Sequence, residues 1–208
     1  MTTSRRDREK EKMKELILEA ASNIIATDGL DKLSIRKIAA KIEYSPSIIY
    51  HYFKDKDEIL SSVMQSGYQK IVQAVSSARL KDLSGEDRLK EMSRSYINAA
   101  LNMPDEFMSI QLNSSKDALT YTSSLFKGAS KEKPALASLY NCLMDINKDS
   151  DIDEQVLEMT AQMIAVSTLG LILKLITEKN IDEKQRKRLI DFFSDNTVIK
   201  MAYINKAN

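Results

Sequence analysis

The chain has 208 residues, with 31 Lys and Arg against 30 Asp and Glu, a formal charge of +1. Its 43% hydrophobic and 29% charged residues exclude wholesale disorder and wholesale membrane embedding, and the length suits one or two domains with a real core. One Cys and one His exclude a disulfide framework and a zinc site built from those residues, so a reducing compartment, the cytoplasm, is expected and no cofactor is.

Five Gly and three Pro are few breakers for this length, which favours long helices over a turn-rich β protein. Helical spacing between the breakers predicts helices at about 4–27, 34–41, 45–51, 56–79, 86–101, 104–113, 115–128, 134–147, 152–178 and 183–203. No stretch alternates long enough to predict a strand. The opening MTTSRRDREKEK has no apolar core and does not read as a signal peptide. Arg5, Arg6, Arg8, Lys10 and Lys12 alternate with Asp7, Glu9 and Glu11, the pattern of a solvated helix start or of a basic arm on a nucleic-acid backbone. Residues 1–54 carry 11 basic and 8 acidic side chains, net +3, and residues 55–208 carry 20 and 22, net −2.

Behind that charged turn, Met13, Ile17, Ala21 and Ile24 form one apolar stripe, and Asp28-Gly29 ends the first helix. Ser34 is placed to cap the second helix, whose inward face is Ile35, Ile38, Ala39 and Ile42. After Glu43-Tyr44, Ser45 caps a third, very short helix with Pro46 at its first position. Asp55 caps the fourth.

Two short helices joined by a tight turn have the geometry of a helix-turn-helix. The second helix presents its N-terminal side chains to base edges in the major groove, and the first braces it. Ser45, Pro46 and Ser47 are small and permit close approach, and Ile48 can touch a thymine methyl. Tyr50, Tyr52 and Lys56 can reach phosphate oxygens, and Arg36, Lys37 and Lys41 lie off the inward face of the brace. The sole His, His51, has no partner for catalysis or metal binding, so a packing or phosphate-facing role is expected.

The stretch LSIRKIAAKIEYSPSIIYHYFKDKDEIL, Leu33–Leu60, resembles the DNA-binding domain of the tetracycline-repressor (TetR) family of bacterial regulators. The matching features are Ser34 at its cap, Ile38-Ala39, the Ser that opens the reading helix, the run Tyr50-His51-Tyr52-Phe53, and Lys56 followed by acidic and aliphatic residues. The likeness spans about residues 13–62. One departure is Glu43, at the turn where the family often has Gly. The resemblance implies an all-α fold: an N-terminal three-helix DNA-binding domain over 1–55, then a larger helical ligand-binding and dimerisation domain over 56–208. It also implies a homodimer on a double-stranded, palindromic DNA operator, released by a small-molecule effector. On this resemblance the DNA-contacting residues are Ser34, Arg36, Lys37, Ser45, Pro46, Ser47, Ile48, Tyr50, His51, Tyr52 and Lys56.

The chain carries ten Met, most of them beyond residue 62 together with scattered aromatics, a composition suited either to ordinary core or to an adaptable apolar pocket. The residues expected to line such a pocket for an apolar or amphipathic ligand are Phe107, Met108, Gln111, Leu112, Tyr121, Phe126, Tyr140, Met144 and Met163, with Asn113, Asn141 and Gln162 as further polar groups. Cys142 sits in an apolar stretch and is expected to be a buried thiol. Met159–Leu173 has no charge but is too short and polar for a membrane span, so no membrane partner is expected. Its small residues and the last helix suggest half of a four-helix homodimer interface, through Ala161, Ala165, Thr168, Leu169, Ile172, Leu189, Ile190 and Phe193.

The reading that follows is a ligand-released, sequence-specific DNA-binding repressor. Glu43 and the near-neutral charge leave a second reading, a helical protein-interaction module with a vestigial DNA-reading head. An enzyme is disfavoured by the lack of a His pair, a metal constellation or a Gly-rich phosphate loop.

Overall fold

A computed structural model describes residues 5–76 and 82–204. Every regular element among them is helical: α1 (Arg5–Asp28), α2 (Ile35–Lys41), α3 (Pro46–Tyr50), α4 (Lys56–Val75), α5 (Gly85–Leu101), α6 (Pro104–Gln111), α7 (Lys116–Thr122), α8 (Ala129–Glu132), α9 (Pro134–Ile146), α10 (Glu154–Thr177), α11 (Glu183–Phe192) and α12 (Val198–Ala202). A 3-10 turn, Leu30–Lys32, follows α1, and a π turn, Phe193–Thr197, joins α11 to α12. The expected helix at 115–128 stops at Thr122, and the expected single helix at 183–203 is interrupted by the π turn. Residues 77–79 of the expected fourth helix lie outside the described residues.

The chain divides into two compact units, Met1–Tyr68 with Pro104–Thr122, and Gln69–Met103 with Ser123–Asn208. Compactness therefore draws a different line from the expected 55/56 boundary. The first thirteen residues of α4, and also α6 and α7, pack with the N-terminal helices.

In the first unit, Ile17, Ala21, Ile24 and Ile25 of α1 close on Ile38 and Ala39 of α2, Ile49 of α3, Phe53, and Ile59 and Val63 of α4. A fully buried Ile contributes roughly 2 kcal/mol by the apolar surface it removes from water, so this cluster fixes α2 and α3 against α1. On another side of α1, the Ser22 hydroxyl donates to the buried Glu106 carboxylate of α6 at 2.9 Å. A Cβ on Gly67 of α4 would stand 2.9 Å from Glu106 Oε1, so a larger residue there would have to displace the Glu106 carboxylate.

The second unit is built on α5, α9, α10 and α12, with Leu89, Met92, Leu139, Leu143, Ala161, Ile164 and Val198 in one core. Buried and half-buried polar side chains pin its irregular parts. Asn147 donates to Leu143 O at 2.9 Å and Ala202 O at 2.8 Å, tying the end of α12 to the end of α9. Arg94 of α5 binds Asp191 at 3.3 Å and Asp195 at 2.5 Å, clasping both sides of the start of the π turn.

Gln162 of α10 donates to Ser124 O at 2.9 Å and Phe126 O at 3.0 Å. Glu158 accepts from Gly128 N at 2.9 Å, Ser130 N at 3.0 Å and Ser130 Oγ at 2.7 Å. These contacts explain why α7 ends early: the backbone beyond it bonds to α10 instead of continuing as helix.

At 24 residues, with mean hydropathy 1.7 over its best window, α10 has the length and composition of a membrane span, unlike the shorter uncharged stretch within it. Its inner face, however, is occupied by protein: Leu157, Ala161 and Ile164 belong to the core, and Glu158, Gln162 and Thr168 make hydrogen bonds there.

Candidate nucleic-acid interface

The candidate interface is the α2–turn–α3 segment of the first unit. Ser34 caps α2 as expected, its hydroxyl accepting from Lys37 N at 3.3 Å. At the other end, Glu43 N donates to Ala40 O at 3.3 Å and Tyr44 N to Ala39 O at 2.9 Å. With Ile42 as the C-cap, this is the paired bonding of a Schellman motif, which needs a left-handed residue just after the cap. Glu43 fills that place with φ 60°, the one positive φ at a non-glycine among the described residues. The turn is thus made in the usual way, with a residue that carries a Cβ and a charge.

Pro46 opens α3, whose lack of an N–H costs nothing at a first helical position. The Ser45 side chain makes no capping bond, contrary to expectation. Its hydroxyl lies 2.7 Å from that of Ser47, so the two form a small polar pair at the helix start. Ile49 is wholly buried and Phe53 nearly so, and they anchor α3 from below. The opposite edge, Ser45, Pro46, Ser47, Tyr50 and His51, is exposed, Tyr50 to 57%. Asp55 caps α4 by accepting from Glu58 N at 2.9 Å, while Glu58 accepts from Lys54 N at 2.6 Å.

The structure sorts the eleven expected DNA residues. Ser34, Arg36, Ser45, Pro46, Ser47, Tyr50, His51 and Lys56 are exposed. Lys37 is half-buried and its ammonium is engaged by Asp28 at the end of α1, which holds the Asp28 carboxyl below its ordinary range. The pair links α2 to the end of α1. Ile48 and Tyr52 are half-buried, and Tyr52 packs against the core of the unit. Two further residues of this segment that were not among those expected are exposed: Tyr44, in the turn beside the start of α3, and Lys54, just beyond it. An aromatic next to a Ser-Pro cap was the available signal.

The expected ligand residues do not share one unit. Phe107, Met108, Gln111, Leu112 and Tyr121 belong to the first, and Phe126, Tyr140, Met144 and Met163 to the second. Phe107 is buried, and Tyr121 packs with Met64, Ile110 and Ala118, its ring centroid 5.7 Å from that of Tyr68. Leu112 is 66% exposed, Met144 47% and Met163 46%. The Gln162 amide is spent on the two carbonyls described above.

Cys142 is buried as expected. Arg88 Nε donates to its sulfur at 3.2 Å, and burial still pushes the thiol above its ordinary range.

The residues expected at a dimer interface differ in exposure. Ala161, Thr168 and Ile172 are buried in the chain's own core and have no surface left to bury, and Ile190 has little. Ala165, Leu169, Leu189 and Phe193 are half-buried. The exposed apolar residues of α10 are instead Val156, Met159, Met163 and Val166, with Gly170 in line, and Phe192 of α11 is exposed to 63%. Over its uncharged stretch, Met159–Leu173, α10 shows no charged stripe, so its inward and outward faces could not be told apart from sequence.

This is an all-helical chain with a helix-turn-helix in its N-terminal unit. Residues 17–63 match the family model of bacterial regulatory proteins, tetR family. Over 84 residues it is 30% identical to the uncharacterized HTH-type transcriptional regulator MT0489 of Mycobacterium tuberculosis, a match covering 40% of this chain and 36% of that protein. Curated relatives are thus matched over little more than a third of their length. In fold, the chain is similar to a bacterial regulatory protein in the tetR family from Rhodococcus RHA1. The TM-score is 0.70 at 16% identity, over 94% of this chain and 99% of the other. It is also similar to the fatty acid degradation regulator FadR from Bacillus halodurans, with a TM-score of 0.68 at 19% identity, over 88% and 94%.

Proposed function

We propose that the chain is a cytoplasmic, sequence-specific DNA-binding transcription regulator: a homodimeric repressor released from a palindromic operator by a small apolar or amphipathic effector. The observation that carries this reading is the α3 edge, where small and hydroxyl-bearing side chains and Tyr50 stand exposed over buried Ile49 and Phe53. A helix so anchored offers its start to the major groove. Arg36, Lys41, Lys54 and Lys56 are exposed cations on the same segment, suited to phosphates. In this reading residues 1–55 read DNA and residues 56–208 receive the effector and dimerise. Phe107 and Tyr121, in the apolar surroundings described above, are the aromatic groups proposed to meet the effector.

The test is a fluorescence-anisotropy titration with the intergenic duplex upstream of the chain's own gene, against a scrambled duplex, at two salt concentrations. Tight, salt-sensitive binding to the native duplex alone is the expected result. Equal and weak binding to both would favour the interaction-module reading.

A further inference from the structure

The first eight described residues of α1, Arg5–Lys12, are all charged and all exposed. At 1.5 Å per residue they carry the helix about 12 Å beyond Met13, the first side chain of α1 to touch the core of its unit. Most helices are held by packing, yet this extension has none. A charged helix without an apolar face is kept by its own ion pairs, and here Arg5 binds Glu9 at 2.9 Å and Lys14 binds Glu11 at 3.8 Å.

Those pairs leave a surplus of one sign. Two of the three acids are engaged by bases, while Arg6, Arg8, Lys10 and Lys12 form no ion pair among the described residues. Residues 5–12 carry five basic and three acidic side chains, net +2, whereas residues 13–54 carry six and five, net +1. Arg36, Lys37 and Lys41 against Glu43 give the helix-turn-helix a surplus of only two, and the extension adds two more. Duplex binding draws much of its affinity from phosphate neutralisation, and the extension adds four cations without an ion pair among the described residues to those of α2 and the start of α4. The extension also points the right way: Arg6 and Lys10 continue, at helical steps, the line of Met13 and Ile17, the face that α1 turns toward the core it shares with α2 and α3.

We propose that Arg5–Lys12 is an electrostatic arm for the sugar-phosphate backbone of double-stranded DNA, with Arg6, Arg8, Lys10 and Lys12 contacting phosphates of the duplex whose bases α3 reads. This rests on the DNA-reading function proposed above.

The experiment measures the observed binding constant against salt for the whole protein, with a mixed-sequence duplex about three helical turns long. Three proteins are compared: wild type, Arg6→Gln/Arg8→Gln/Lys10→Gln/Lys12→Gln, and Tyr50→Ala. Removing one phosphate-neutralising cation lowers the salt slope by about 0.9, so the slope of the fourfold variant is expected to fall by roughly 2 to 4 units per protomer. Tyr50→Ala is expected to bind more weakly with its slope lowered by no more than about one unit. The substituted residues are all exposed, so an unchanged circular-dichroism melt certifies the variant. Glu9→Gln/Glu11→Gln should bind several-fold more tightly. A fourfold variant that keeps the wild-type slope, beside a weakened Tyr50→Ala, overturns the arm and leaves the DNA reader standing. Wild-type protein that binds no duplex overturns both.

Discussion

Glu43 is a turn residue held in a conformation that its side chain disfavours. The left-handed region costs an L-residue about 1 kcal/mol, and glycine almost nothing. Glu43→Gly should therefore stabilise the first unit by about 0.5–1 kcal/mol, the gain being reduced by the greater freedom of glycine when unfolded. A urea midpoint rising for Glu43→Gly and not for Glu43→Ala would show that the backbone, not the charge, is responsible. Tyr50 is the opposite case, exposed to 57% with no hydrogen bond or ion pair within the chain to lose. Tyr50→Ala should leave the melting temperature within a degree or two of wild type and weaken DNA binding by about 1–3 kcal/mol. Wild-type affinity in that variant would remove Tyr50 from the interface. Both residues are visible in the sequence, because helix-end chemistry is local: the Ser34 cap, the Pro46 start and the Asp55 cap each act within four residues. The Lys37–Asp28 pair is not visible in the sequence, because Asp28 lies on the preceding helix.

At the scale of elements, legibility follows the range of the interaction. Helices that end at their own caps are placed by the sequence within a residue or two, while α7 overruns because its end is set by Gln162 and Glu158, 28 to 38 residues away from the groups they bind. The π turn is likewise hidden, since Arg94 reaches it from α5 across 97 and 101 residues. Glu158 makes the dependence testable. The Gly128 amide, and then the Ser130 hydroxyl and amide, hold its carboxyl below the ordinary glutamate value of 4.5. A carboxyl lowered in the folded state adds stability above its unfolded value, and that stability is lost as the pH falls through the lowered one. Glu158→Gln turns an amide group toward amide donors, so it should cost about 1–3 kcal/mol near neutral pH. The gap to wild type should narrow below about pH 4, as wild type too becomes protonated. Urea titrations at both pH values check this, and a gap independent of pH would show that the anion itself is not what holds α8.

For the whole molecule the decisive question is what meets the outer face of α10. One apolar stripe, Val156, Met159, Met163 and Val166, is exposed on a helix whose other side is core. A palindromic operator calls for two reading heads related by a twofold axis, and a self-complementary apolar face is what such a pair would share. Val166→Glu places a charge on that stripe, where burial in an interface leaves it without a partner. It should yield monomers at micromolar concentration in sedimentation, with the monomer's fold retained. Ala161→Leu changes the other face, where the side chain has no exposure at all. Overpacking there should lower stability by about 1–3 kcal/mol without altering assembly among the folded molecules. The two variants exchange outcomes if the dimer forms instead through the small residues singled out from sequence. Because one head alone reads half a site, Val166→Glu should also lose operator affinity well beyond the loss seen for Tyr50→Ala, although Val166 lies far along the chain from the residues proposed to touch DNA. A monomeric Val166→Glu protein that still binds its operator with wild-type affinity would separate DNA reading from dimerisation and refute the twofold arrangement.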